Sequence, residues 1–172
     1  VLETKTMALT FLTSSDQTIE VVVTCDSTVE ATDKQKTAYL TSGKLEDLGS
    51  VGDDATKFTL KALSPSEREE AEVKAGAYSR SELGRLLWVE APIDTKERAR
   101  WHHNLTEDER ESMASYEAYL SRVYLEMIKA SLKKIDGEEA SLEQVQAIRP
   151  DSFRVRAISE LVAHIQRISL LG

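Results

Sequence analysis

The sequence is short of several residue types that would narrow its chemistry. It holds one cysteine, three prolines and seven glycines in 172 residues, and aromatics make up only 6%. The single cysteine, Cys25, excludes an internal disulfide and any thiolate cluster around a metal. A lone thiol suits a reducing compartment. No stretch approaches the roughly 18 consecutive apolar residues of a membrane span, so none is expected. The opening VLETKTM lacks a basic stretch followed by an apolar one, so no signal peptide is expected either. Positive charge is also scarce. Lysine and arginine number 22 against 30 acidic residues, for a net charge of −8. An acidic chain gains little from displacing counterions, which disfavours broad nucleic-acid binding.

Catalytic signatures are missing too. His102 and His103 are neighbours in sequence, and consecutive helical positions do not face each other. With no HExxH and no spaced third histidine, they read as surface or structurally satisfied residues. TSGKL (41–45) has a Gly–Lys pair without the phosphate-loop spacing. GxSxG is absent. Cys25 ends a strand-like run with no histidine near it in sequence, so it reads as a buried structural thiol. The acidic groups Glu67, Glu69, Glu70, Glu72 and Glu107, Asp108, Glu109, Glu111 read as solvated helix starts. Two basic intervals, Arg80–Arg100 and Arg149–Arg156, read as solvated faces. No catalytic residue, metal site or cofactor is expected, and no small-molecule substrate.

What is present is helix. Ser64, Pro65 and Glu67 form a capping box with proline at the first helical position. Two glycines in the following segment predict a helix to about Tyr78 and another over Ser81–Val89, stopped by Pro92. The polar stretch 93–105 holds a short helix. Thr106 and Glu109 make a second box. Behind them Met113, Tyr116, Leu120, Val123, Met127 and Ala130 alternate by three and four, a stripe on a helix of roughly 24 residues. Asp136–Gly137 turns the chain. Ser141 and Gln144 box a short helix ended at Arg149–Pro150. Asp151 is the expected cap of a last helix, with Val155, Ile158, Val162, Ile165 and Ile168 on one side.

The first third differs. ALTFL (8–12) and QTIEVVVTC (17–25), parted by turn-forming residues, predict a hairpin. KFTLKAL (57–63) alternates as a third strand. Residues 26–56 are rich in Thr, Ser, Asp and Gly, with a helical turn over 33–40 capped by Asp33. The expected fold is α+β and mainly helical: a small N-terminal antiparallel sheet packed on a bundle of about four to five helices. The expected division is N-terminal strands at 1–25, a polar loop or arm at 26–56, and a strand plus helical domain at 57–172.

Three segments, FTLKALSPSEREEAE, EAYLSRVYLEMIKASLKKIDG and ISELVAHIQRISLLG, together resemble the tail assembly chaperones of tailed bacteriophages. The resemblance covers about 57–172, and 8–25 matches the family's short sheet. In the closing helix it rests on Glu160, Leu161, Ile165, Ile168, Ser169 and Leu170. Residues 26–56 are more extended than the family pattern. The resemblance implies a non-enzymatic role: binding the tape-measure protein and tail subunits in the host cytoplasm during assembly. Trp88, Trp101, Tyr116 and Tyr119 are the candidate partner contacts, because aromatics favour interface anchors. The alternatives are a virion structural protein, such as a connector or tail piece, and a small regulatory nucleic-acid-binding protein. Self-association is compatible with all three.

Overall fold

The computed structural model describes residues 17–76 and 82–170. The expected strand at 8–12 lies outside them. The elements, in chain order, are β1 (Thr18–Val22), β2 (Val29–Glu30), α1 (Asp33–Ser42), β3 (Ser50–Val51), β4 (Lys57–Lys61), α2 (Pro65–Lys74) and α3 (Glu82–Glu90). They continue with α4 (Thr95–His103), α5 (Glu107–Ser131), β5 (Leu132–Ile135), β6 (Glu138–Glu139), α6 (Leu142–Gln146) and α7 (Asp151–Leu170). The fold is α+β, a small antiparallel sheet packed against helices, as the sequence pattern implies. The chain divides into two compact units, residues 1–71 with 124–172, and residues 72–123.

In the first unit the sheet runs β1-β4-β5-β6, antiparallel at every step. Val21 lies opposite Phe58 and Ile19 opposite Leu60. Phe58, Leu60 and Val21 are buried. The helix α7 packs on β4 and α1, burying Ala157, Leu161, Val162, Ile165 and Ile168. Two serines tie the end of β4 to the helices. Ser131 Oγ donates to the Lys61 carbonyl at 2.6 Å, and Leu63 N–H donates to Ser169 Oγ at 2.9 Å.

The strands β5 and β6 are a departure from the sequence reading, which placed only a turn there. Asp136 (φ 51°) and Gly137 (φ 85°) both sit in the left-handed region, the geometry that a two-residue hairpin requires. Lys57 N–H donates to Asp136 Oδ1 at 2.8 Å, so the turn also clasps β4. Four residues, LKKI, are too few to announce a strand by alternation. Their pairing with β4 makes them one.

Residues 26–56 carry a ten-residue helix, α1, and the short β2–β3 pair. Thr32 caps α1 in a box with Gln35, and Asp33 is already helical, so the expected cap shifts by one residue. Tyr39 is fully buried, and its hydroxyl accepts from Val22 N–H at 3.0 Å. That one bond pins α1 to β1.

In the second unit, α3 crosses α5 at Gly84, where an added β-carbon would collide with the Ser112 carbonyl. Arg122 Nε donates to the Ala75 carbonyl at 2.9 Å. The boxes at Ser64/Glu67 and Thr106/Glu109 form as expected. The helix α2 stops at Lys74 rather than Tyr78, because Gly76 takes a positive φ of 87°.

Candidate functional site

Three of the four aromatic candidates come together in the second unit. Trp88 on α3 and Tyr116 on α5 lie 6.3 Å apart between ring centroids, tilted by 58°. Tyr116 and Tyr119 are also 6.3 Å apart. Both geometries fall in the range favoured by the ring quadrupole. The Arg98 guanidinium lies 4.8 Å from the Trp88 ring centroid and 3.7 Å from Glu117, a cation held between a π-face and a carboxylate. Tyr119 is buried, and Trp88 and Tyr116 are half-buried. Trp101 stands on α4, also half-buried, and His102 and His103 beside it are exposed.

The opposite side of α3 is the more unusual feature. Gly84 and Leu87 are buried. Leu83 is 42% exposed, Leu86 46%, Val89 72% and, just beyond the helix, Ile93 99%. Two spacings of three place Leu83, Leu86 and Val89 along one side of the helix. Sequence reasoning named the aromatics and passed over this row. The signal was there: Leu83, Leu86, Leu87, Trp88 and Val89 lie within nine residues, more apolar side chains than one buried face of so short a helix takes, although Glu82, Arg85 and Glu90 share the exposed side.

In the first unit the notable chemistry is a buried polar cluster on α7. The Glu160 carboxylate accepts from Thr24 N–H at 2.5 Å and Thr24 Oγ1 at 2.6 Å. One turn on, His164 is completely buried, although the pattern placed it off the apolar stripe. Arg167 Nη1 lies 2.8 Å from His164 Nδ1 and donates to the Leu40 carbonyl at 3.2 Å. The guanidinium can only donate, so Nδ1 carries the lone pair and Nε2 the proton. Nε2–H finds no partner among the described residues. The Tyr39 ring packs 5.0 Å away, tilted by 59°. Burial, reinforced by the Arg167 charge, pushes the histidine pKa down to about 4. Burial likewise raises the Tyr39 pKa and lowers that of Arg167. Such a cluster stays neutral at the histidine and joins α1, β1 and α7.

Val155, expected within the α7 stripe, is 60% exposed. Val162, Ile165 and Ile168 of that stripe are buried as expected, and the buried face widens to Ala157, Glu160, Leu161, His164 and Ser169. Cys25, read as a buried thiol, is half-buried, and burial followed by the Glu160 charge raises its pKa. Among the described residues no three His, Cys, Asp or Glu side chains are grouped to hold a metal ion. No described helix is long and apolar enough to cross a membrane. No protein-family model, curated protein or solved structure matches the chain.

Proposed function

We propose that this protein is a non-enzymatic binding protein whose second unit holds an apolar segment of another protein chain. The observation that carries the reading is the exposed row Leu83, Leu86 and Val89 on a helix whose other side is already packed, with the exposed Ile93 just beyond its end. An apolar helix face left in water is a standing free-energy cost, and a partner's apolar surface removes it. The aromatic group at Trp88, Tyr116 and Tyr119 braces the same helix from behind.

The resemblance to phage tail assembly chaperones supplies the partner: the tape-measure protein, a long helical chain whose apolar face needs cover while the tail is built. The net charge of −8 suits keeping such a complex soluble.

The test is affinity capture from infected cells with tagged wild-type chain and with Val89→Glu. The wild type is expected to retain a long helical partner stoichiometrically and to be missing from finished particles. Val89→Glu, altered at an exposed position, is expected to fold with a stability change within about 0.5 kcal/mol and to lose that partner. Equal capture by both forms refutes the docking face. Presence of the chain in purified particles favours a virion structural role instead.

A further inference from the structure

The first unit contains a cavity of about 400 Å³. Its walls come from β4, β5, the segment after β1 and both helices that follow the hairpin. Val23, Phe58, Ile135, Ile148, Phe153 and Ala157 make it mostly apolar. Volumes of several hundred Å³ are those of small-molecule sites rather than packing defects. Phe153 stands at the cavity 40% exposed, so part of a large apolar side chain faces the open space.

The charged residues that line it are already engaged. The Asp26 carboxylate accepts from Thr28 N–H at 2.9 Å, Thr28 Oγ1 at 2.7 Å and Thr56 N–H at 3.1 Å. Arg149 Nη1 donates to the carbonyls of Ile148 at 3.1 Å and Gln146 at 3.3 Å, and lies 3.7 Å from Asp151. The Cys25 thiol points to the Phe153 carbonyl at 3.8 Å. A charged ligand would give up its hydration for Arg149, a cation that is 67% exposed and shared with Asp151, and an anion would also face the Asp26 carboxylate in the same lining. Gln144 spends its side-chain carbonyl on Ser141 N–H at 2.9 Å, leaving its amide N–H groups for a hydroxyl or carbonyl.

We infer that this cavity is a binding site for a small uncharged apolar molecule, one or two rings or a compact branched hydrocarbon with a single hydrogen-bonding group. A cavity of this size takes roughly ten to fifteen non-hydrogen atoms. The molecule is bound and released unchanged. All the lining residues belong to the first unit.

Cys25, in the lining, is a built-in reporter. The experiment measures maleimide labelling of Cys25 in the full chain with 2-naphthol as the neutral probe and 2-naphthoate as its charged counterpart. At about ten times its Kd, 2-naphthol is expected to slow labelling about tenfold, because only the empty fraction reacts. It is also expected to shift the methyl resonances of Ile135 and Ile148. The naphthoate is expected to do neither. Ile148→Trp, at a half-exposed wall position, fills the cavity and is expected to remove the protection. Unchanged labelling with 2-naphthol overturns the site. Equal protection by naphthoate overturns the ligand class. Protection that persists in a folded Ile148→Trp places the probe elsewhere. Should that variant not fold, the methyl shifts of the wild-type chain decide.

Discussion

Gly84 sets two single-residue effects against each other. Glycine in a helix interior costs about 1 kcal/mol relative to alanine, so propensity alone predicts that Gly84→Ala stabilises. The Ser112 carbonyl and Tyr116 Cβ occupy the space the methyl would need. Backbone cannot yield as a flexible side chain can, and overpacking costs about 1–3 kcal/mol. Gly84→Ala is therefore expected to destabilise on balance, read from urea denaturation midpoints. His164 gives a second residue-scale effect with a defined sign. Its folded pKa of about 4 lies below the unfolded value of 6.5. Between those values the unfolded chain binds a proton that the folded chain refuses, so stability drops as the pH is lowered through that window. It is complete above pH 6.5, and the loss amounts to roughly 3 kcal/mol once pH is below 4. His164→Phe should flatten stability between pH 6.5 and 4.5. Glu67, its pKa lowered by the Lys61 ammonium and then by Ser64 N–H, adds its own loss only at more acidic pH. A wild-type profile already flat from pH 6.5 to 4 would contradict the burial of the imidazole.

At the scale of the element, the helices announce themselves and the short strands do not. Boxes at Ser64/Glu67 and Thr106/Glu109 are local: donor and acceptor lie three residues apart, and the sequence contains both. The stripe of α5 is local as well, and Met113, Val123 and Met127 are buried where its period places them. The β5–β6 hairpin is another matter. Its register with β4 depends on Phe58, which lies opposite Ile135 although the two are 77 positions apart in the chain. The hairpin turn rests on Gly137 at φ 85°. Gly137→Ala has open space around the new methyl and meets only backbone strain. It should cost about 1–2 kcal/mol in equilibrium unfolding, without change in the burial of the α7 face. The face of α7 shows how a tertiary neighbour redraws a stripe. Val155 is apolar yet exposed, while Glu160 and His164 are polar yet buried. Thr24 satisfies the Glu160 carboxylate and Arg167 engages Nδ1 of His164, which helps them take positions that periodicity reserves for isoleucine or valine.

Across the whole molecule, the buried mass is unevenly shared. Among the largest fully buried side chains of the described residues, only Met113 belongs to 72–123, while Tyr39, Leu60, Leu161, His164 and Ile165 are among those of the other unit. Local stability follows buried apolar contact. Amides of α3 and α4 are therefore expected to exchange with solvent through openings of lower free energy than those of α7 and β4. Native-state hydrogen exchange separates the two, and equal protection would refute the ranking. The binding role proposed for α3 sits on this less protected unit, where a partner's contacts add most to order.

Composition, caps and periods were enough to establish an acidic chain with one thiol, helices with defined starts, and an α+β pattern. These follow from neighbours a few residues apart, which linear order already supplies. Other features required the tertiary structure: the pairing of LKKI with β4, the neutral buried imidazole of His164, the cavity beside Cys25, and the exposure of Leu83, Leu86 and Val89. Each depends on which distant segment arrives at a given face, through packing and desolvation between residues far apart in the chain.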